Sequence, residues 1–152
     1  MTATIRDAAA VQALFDAHFA EGTASFEVLT TGPLCARLKM RYAPTQLRPG
    51  GTVSGPTMMA LADAAMYAAI LANAGPELLA VTTDFSIHFL RKPQPGDLEA
   101  EARIVKLGKV LVVCTVDIFS GEIHVAHCSG TYSRPPPHIQ AAAEEQAALP
   151  AA

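Results

Sequence analysis

"RPGGTVSGPTMMALADAAMYAAILANAG", residues 48–75, is the stretch around which the rest of the chain must be arranged. A glycine-rich turn leads into a helical pattern, and between Thr57 and Ala72 the only ionisable side chains are Asp63 and Tyr67. Apolar residues occupy every face, so the helix has little surface suited to water and belongs inside the fold. Ser54 or Gly55 can cap it and Pro56 suits its first turn, which leaves the Gly55 amide at the positive end of the helix dipole with no side chain in the way. Such an amide can stabilise an oxyanion. Asp63 follows eight residues later, roughly 12 Å along the axis. One helix therefore cannot bring both groups to one reacting carbon unless substrate, water or a second subunit bridges them. An acid here fits a satisfied structural network and a reaction site equally well.

Outward from this helix the pattern changes period. On the N-terminal side, "TIRDAAAVQALFDAHFAEG" sets Ile5, Ala8, Val11, Leu14, Phe15 and Phe19 at helical spacing, with Gly22 as the stop. "SFEVLTTG" and "PLCARLKMRY" read as two strands joined at Gly32-Pro33, the second alternating Leu34, Ala36, Leu38 and Met40 with polar neighbours. On the C-terminal side, "LLAVTTDFSIHFLRK", "DLEAEARIVKLGK", "VLVVCTVDIFS" and "EIHVAHCSGTYSR" are β-rich runs separated by short turn signals, hence antiparallel neighbours. The order predicts an α+β fold, with a curved antiparallel sheet wrapped around the long apolar helix and an N-terminal helix beside it. Residues 1–134 form the single domain of this reading, and 135–152, opening on three prolines and ending alanine-rich, a flexible tail.

The composition agrees. A chain of 152 residues, 51% hydrophobic and 16% charged, is long enough for one sizeable core. A formal charge of -3 without a basic run argues against nucleic-acid binding. No segment reads as a signal peptide or a convincing membrane span, so the cytoplasm is expected, with no membrane partner. Cys35, Cys114 and Cys128 are odd in number and lack paired short spacing, as expected of buried reduced thiols. His18, His88, His124, His127 and His138 show no ligand spacing, and no metal is expected.

The residues "GTVSGPTMMALADAA", "TTDFSIHFLRKPQPGDLEAEARIVKLGK" and "GTYS" resemble the hotdog-fold thioesterases, in particular the phenylacetate-pathway (PaaI-like) acyl-CoA thioesterase type. The first stretch matches the pattern Gly-x-x-His-Gly-Gly followed by Leu-Ala-Asp-x-Ala, and the likeness runs over about residues 25–133. The resemblance implies an acyl-CoA substrate, no cofactor beyond it, and a homodimer or dimer of dimers with active sites at the subunit interface. It implies Asp63 as general base or nucleophile, the Gly55 amide as oxyanion donor, and Thr82 as a hydroxyl that orients water. An interface would also remove the distance problem, because Asp63 of one subunit can serve a substrate held by the helix end of the other.

The departures from the pattern are specific. Ser54 stands where the resemblance has histidine and Pro56 where it has glycine. Arg48 stands where asparagine or glutamine is usual, with Gln46 two residues earlier. Arginine there can pair with Asp63 or recognise a carboxylate on the acyl group. Arg48, Gln46, Ser54, Tyr67, Arg91 and Lys92 are therefore the substrate-binding candidates, and Lys106, Lys109 and Arg134 are further cations for the phosphates of coenzyme A. A serine hydrolase elbow is missing from "TVSGP". The alternatives to thioester hydrolysis are an acyl-CoA-binding hotdog protein without turnover and, less well supported, a hotdog dehydratase or hydratase, for which the paired catalytic Asp and His are not recognisable.

Overall fold

The computed structural model describes residues 4–19, 26–75 and 77–148. Helix α1 (Ala8–His18) is followed by strands β1 (Phe26–Gly32) and β2 (Cys35–Met40), helix α2 (Gly55–Asn73), strands β3 (Val81–Phe89), β4 (Leu98–Leu107), β5 (Leu111–Ser120) and β6 (Ile123–Ser133), and helix α3 (Pro137–Ala148). The six strands form one sheet in the order β1-β2-β4-β5-β6-β3. Every neighbouring pair is antiparallel. The sheet curls around α2, as the hotdog arrangement requires.

Alternation in the strands produces the concave face. Ala36, Leu38 and Met40 of β2, Leu98, Ala100, Ala102 and Ile104 of β4, and Val112, Cys114, Val116 and Ile118 of β5 are all buried against α2. The helix answers with small residues, Ala62, Ala65, Ala68, Ala69 and Ala72, which let strands approach its backbone, and with Leu61, Met66, Ile70 and Leu71, which fill the gaps. The packing is close at Gly130 of β6, where an added Cβ would lie 2.8 Å from Met66 Sδ and 3.1 Å from the Asp84 carbonyl oxygen. By length and apolarity α2 alone would suffice to cross a membrane. Here that apolar surface fills the sheet.

Helix α1 starts at Asp7, whose side chain accepts from the Ala10 amide at 2.8 Å, and buries Val11 and Phe15. The expected stop at Gly22 lies outside the described residues. Leu34 does not join the inward row of β2: it sits in the preceding turn with φ 55° and is exposed. Residues 137–148 of the stretch read from sequence as a tail form α3. Its three leading prolines suit a helix start and its Ala, Gln and Glu residues favour the interior, and Gln140 is buried, its Oε1 accepting from the Leu79 amide at 3.4 Å.

Candidate active site

Asp63 lies in the middle of α2, half-buried, where the sheet leaves the helix partly uncovered. Two hydroxyls converge on its Oδ1: Tyr132 donates at 2.6 Å and Thr82 at 2.7 Å. The Tyr132 oxygen is also 3.0 Å from the Asp63 backbone carbonyl. Thr82 and Tyr132 are directly opposite on β3 and β6, so one cross-strand pair holds the carboxylate from one side. A register shift between Thr82 and Asp84 is what aims Thr82 inward, because Phe85 and Ile87 carry the inward phase in the rest of β3. Asp63 Oδ2 has no hydrogen bond among the described residues.

Tyr132 is itself buried, and burial first, then the neighbouring Asp63 charge, pushes its phenol well above the ordinary range. It therefore stays a proton donor to the carboxylate at any physiological pH. The Tyr67 ring stacks on Tyr132 with centroids 6.1 Å apart, while its hydroxyl donates to the Leu78 carbonyl at 2.8 Å. Phe15 and Phe19 of the N-terminal segment pack edge-on against Tyr67 at 5.9 and 5.6 Å. Together with Ala64 and Val81 these rings line a cleft of about 520 Å³ that opens onto Asp63. It offers an apolar chamber with one carboxylate on its wall.

Gly55 opens into a different place. It begins α2, with the Ser54 hydroxyl as cap, accepting from the Thr57 amide at 3.3 Å. Arg48, Phe89, Arg91 and Lys92 join it around a second cleft of about 380 Å³. Phe89 lies so near that an added Cβ on Gly55 would come within 3.1 Å of its ring. Neither cleft is lined by both Gly55 and Asp63, as the axial distance between them requires.

The remaining candidates divide accordingly. Arg48 is exposed beside Gly55 and makes no ion pair with Asp63 among the described residues. Gln46 spends its side chain on its own loop, accepting from the Ala43 amide and donating to the Arg41 carbonyl, each at 3.0 Å. Arg91 donates to the His124 carbonyl at 2.8 Å and borders the Gly55 cleft with Lys92. Arg134 is held by Glu77 and by the Gly108 carbonyl. Lys106 and Lys109 are exposed. Sequence reasoning missed Tyr132 as a partner of Asp63. The available signal was its place in the inward alternation of Cys128 and Gly130.

The profile of the Thioesterase superfamily matches residues 50–127, which include Gly55, Asp63 and Thr82. The chain belongs to the thioesterase superfamily. Among solved structures, this thioesterase-superfamily protein is similar to a candidate thioesterase from Silicibacter sp., at 38% identity over 89% of this chain and 96% of the other, with TM-score 0.79. It is similar at 28% identity to a mutant of the phenylacetic acid degradation protein PaaI from Thermus thermophilus, over 73% and 94% of the two chains, TM-score 0.66. The E. coli PaaI protein shares the fold at 23% identity, over 85% and 94%, TM-score 0.74. The superfamily member thus has the hotdog fold and is similar to proteins of the PaaI type. No curated protein matches it.

Proposed function

We propose that the protein hydrolyses acyl-CoA thioesters, with Asp63 activating water and the Gly55 amide holding the developing oxyanion. The observation that carries this reading is the Asp63 carboxylate fixed through Oδ1 by Tyr132 and Thr82, with Oδ2 unengaged among the described residues, on the wall of an apolar cleft. A base held by one oxygen presents the other in a fixed direction, the positioning that general-base catalysis needs. Water attacks the thioester carbonyl as Asp63 takes its proton. The carbon–sulfur bond then breaks, and the CoA thiolate leaves and is protonated. Thr82 supports the carboxylate and the water together, and water is the only co-reactant.

The complete site is formed between two copies of the chain. β3 is the sheet's edge and exposes Val81 and Phe89, at 57% and 49%, beside a row of unpaired backbone groups, a surface suited to pairing with a second β3. Such pairing brings one copy's Gly55 cleft to the other's Asp63 cleft. Arg48, Arg91 and Lys92 there meet the phosphates of coenzyme A, while Tyr67 and the Phe15–Phe19 pair line the acyl chamber. The assembly is a homodimer or a dimer of dimers, working in the cytoplasm, where its three free cysteines stay reduced.

One feature favours the second reading, an acyl-CoA-binding protein without turnover. The Ser54 hydroxyl accepts from the Thr57 amide and pairs with the Thr57 hydroxyl at 2.8 Å, and the Gln46 side chain is engaged within its own loop, so both are already occupied. A panel of short, medium, aryl and dicarboxylic acyl-CoA esters, followed by chromatography of product, separates the two. Turnover lost in Asp63→Ala with fold retained supports hydrolysis. Tight binding of CoA esters without turnover across the panel supports the binding protein.

A further inference from the structure

Three donor-bearing side chains meet on the convex face of the sheet, outside both clefts. His127 Nδ1 is 2.7 Å from Asp117 Oδ1, and His124 Nε2 is 2.8 Å from the same oxygen. All the ligand atoms lie within 4.8 Å of one another. In a regular strand, residues three apart point to opposite faces. His124 and His127 share a face because β6 carries one extra residue: Ile118 pairs with Ala126 and Phe119 with His124, leaving Val125 without a partner. Val125 and Ala126 are consequently both buried, and the two histidines fall together on the outside.

The bulge is held from the side. The Val125 carbonyl accepts from the amides of Leu90 and Arg91 at 2.8 and 3.2 Å, and the Arg91 guanidinium caps the His124 carbonyl. The His124 ring stacks on Phe119 with centroids 5.0 Å apart, which fixes its plane. Its Nε2 is sealed from solvent and, although close to Asp117, makes no properly aligned hydrogen bond. A fixed imidazole whose inward nitrogen lacks a partner is short of a ligand, and a cation between the three groups would supply it.

We propose that Asp117, His124 and His127 form a divalent transition-metal site of the zinc class. Two neutral imidazoles and a carboxylate suit zinc or cobalt and are too nitrogen-rich for magnesium or calcium. Tetrahedral bonds to such an ion set donor atoms about 3.3 Å apart, so the pair of contacts on Asp117 Oδ1 must open by about half an ångström, within reach of small χ rotations. His127 binds through Nδ1 and His124 through Nε2, with water in the remaining position. Along the same outer row, Glu101 is the cross-strand partner of Asp117 and His88 that of His127, and Arg37, 3.4 Å from Glu101, and Arg103 line a cleft with Asp117, so these groups and Arg91 set the field around the ion.

The test is titration of the EDTA-stripped full chain with cobalt chloride, read by visible absorption, and with zinc chloride, read by calorimetry. Wild type is compared with His124→Gln, His127→Gln and Asp117→Asn, with circular dichroism as the fold control. The expected result is one equivalent per chain, cobalt bands of a low-coordinate site, and affinity at least about tenfold weaker in each variant, with magnesium and calcium inert. Absence of saturable binding, or binding equal in the wild type and the variants, would overturn the proposal and leave a His127–Asp117 hydrogen bond with His124 beside it.

Discussion

The Tyr132 hydroxyl lies 2.6 Å from Asp63 Oδ1, joining the end of β6 to the middle of α2. A buried phenol kept protonated by burial and by the carboxylate itself is a fixed donor, so the direction of the other carboxylate oxygen is set by the fold rather than by solvent.

Replacing Asp63 with Asn keeps an acceptor for both hydroxyls but removes the base. Turnover of the best acyl-CoA in the panel is expected to fall by roughly 10²–10⁴-fold, with the circular dichroism spectrum unchanged. Retention of most of the activity would remove Asp63 from the mechanism.

Tyr132→Phe and Thr82→Val each take away one donor to Oδ1. Both are expected to lower kcat with little change in KM, and Thr82→Ser to restore the Thr82 loss. Tyr132→Phe keeps the stacked ring and should cost about 0.5–1.5 kcal/mol of stability in urea unfolding. A change in KM alone would assign these hydroxyls to substrate binding.

If Asp63 and Gly55 come from different subunits, two inactive variants should complement. Asp63→Ala and Gly55→Val each spoil one half of a site, the second by driving a side chain into Phe89. After random exchange, half of the dimers are mixed and each holds one intact site, so the mixture should recover about a quarter of wild-type activity. No recovery, with exchange verified by mass spectrometry of differently tagged chains, would place both groups in one chain's site.

Alkaline pH should weaken the fold in a defined window. Burial pushes the Tyr67 phenol up to about 12 and the Cys114 thiol up to about 12. The unfolded chain loses these protons near pH 9–10, before the folded chain does, so it binds fewer protons there and stability falls as pH rises from about 9 towards 12. Urea midpoints between pH 8 and 11 measure this. In native protein below pH 9, iodoacetamide should spare Cys114 and Cys128, whose thiol is also held up to about 12 by burial, and modify them after unfolding.

Gly130→Ala tests a tight contact between sheet and helix. The Met66 side chain can bend away from an added methyl, but the Asp84 carbonyl belongs to β3's backbone. A loss of roughly 1–3 kcal/mol is expected in urea unfolding. The same change also presses on the strand carrying Thr82, so activity should fall with stability.

The apolar run from Thr57 to Ala72, with alternating runs on either side, was enough to determine from sequence a sheet wrapped around a helix, because a helix with no wet face can only be enclosed. Asp63 was legible for the same reason: one carboxylate in such a helix needs an explanation. A cap at Ser54 or Gly55 followed from local chemistry at the helix start, and the structure puts it on Ser54. What the sequence could not determine was phase. Thr82 reaches its inward face only through the extra residue at Thr83, and His124 joins His127 on the outer face only through the extra residue at Val125, because one such residue inverts the face of everything beyond it. Strand propensities do not mark where a bulge falls; the packing of neighbouring strands decides it. The partners of Asp63 and the meeting of two histidines with Asp117 are therefore properties of the tertiary structure.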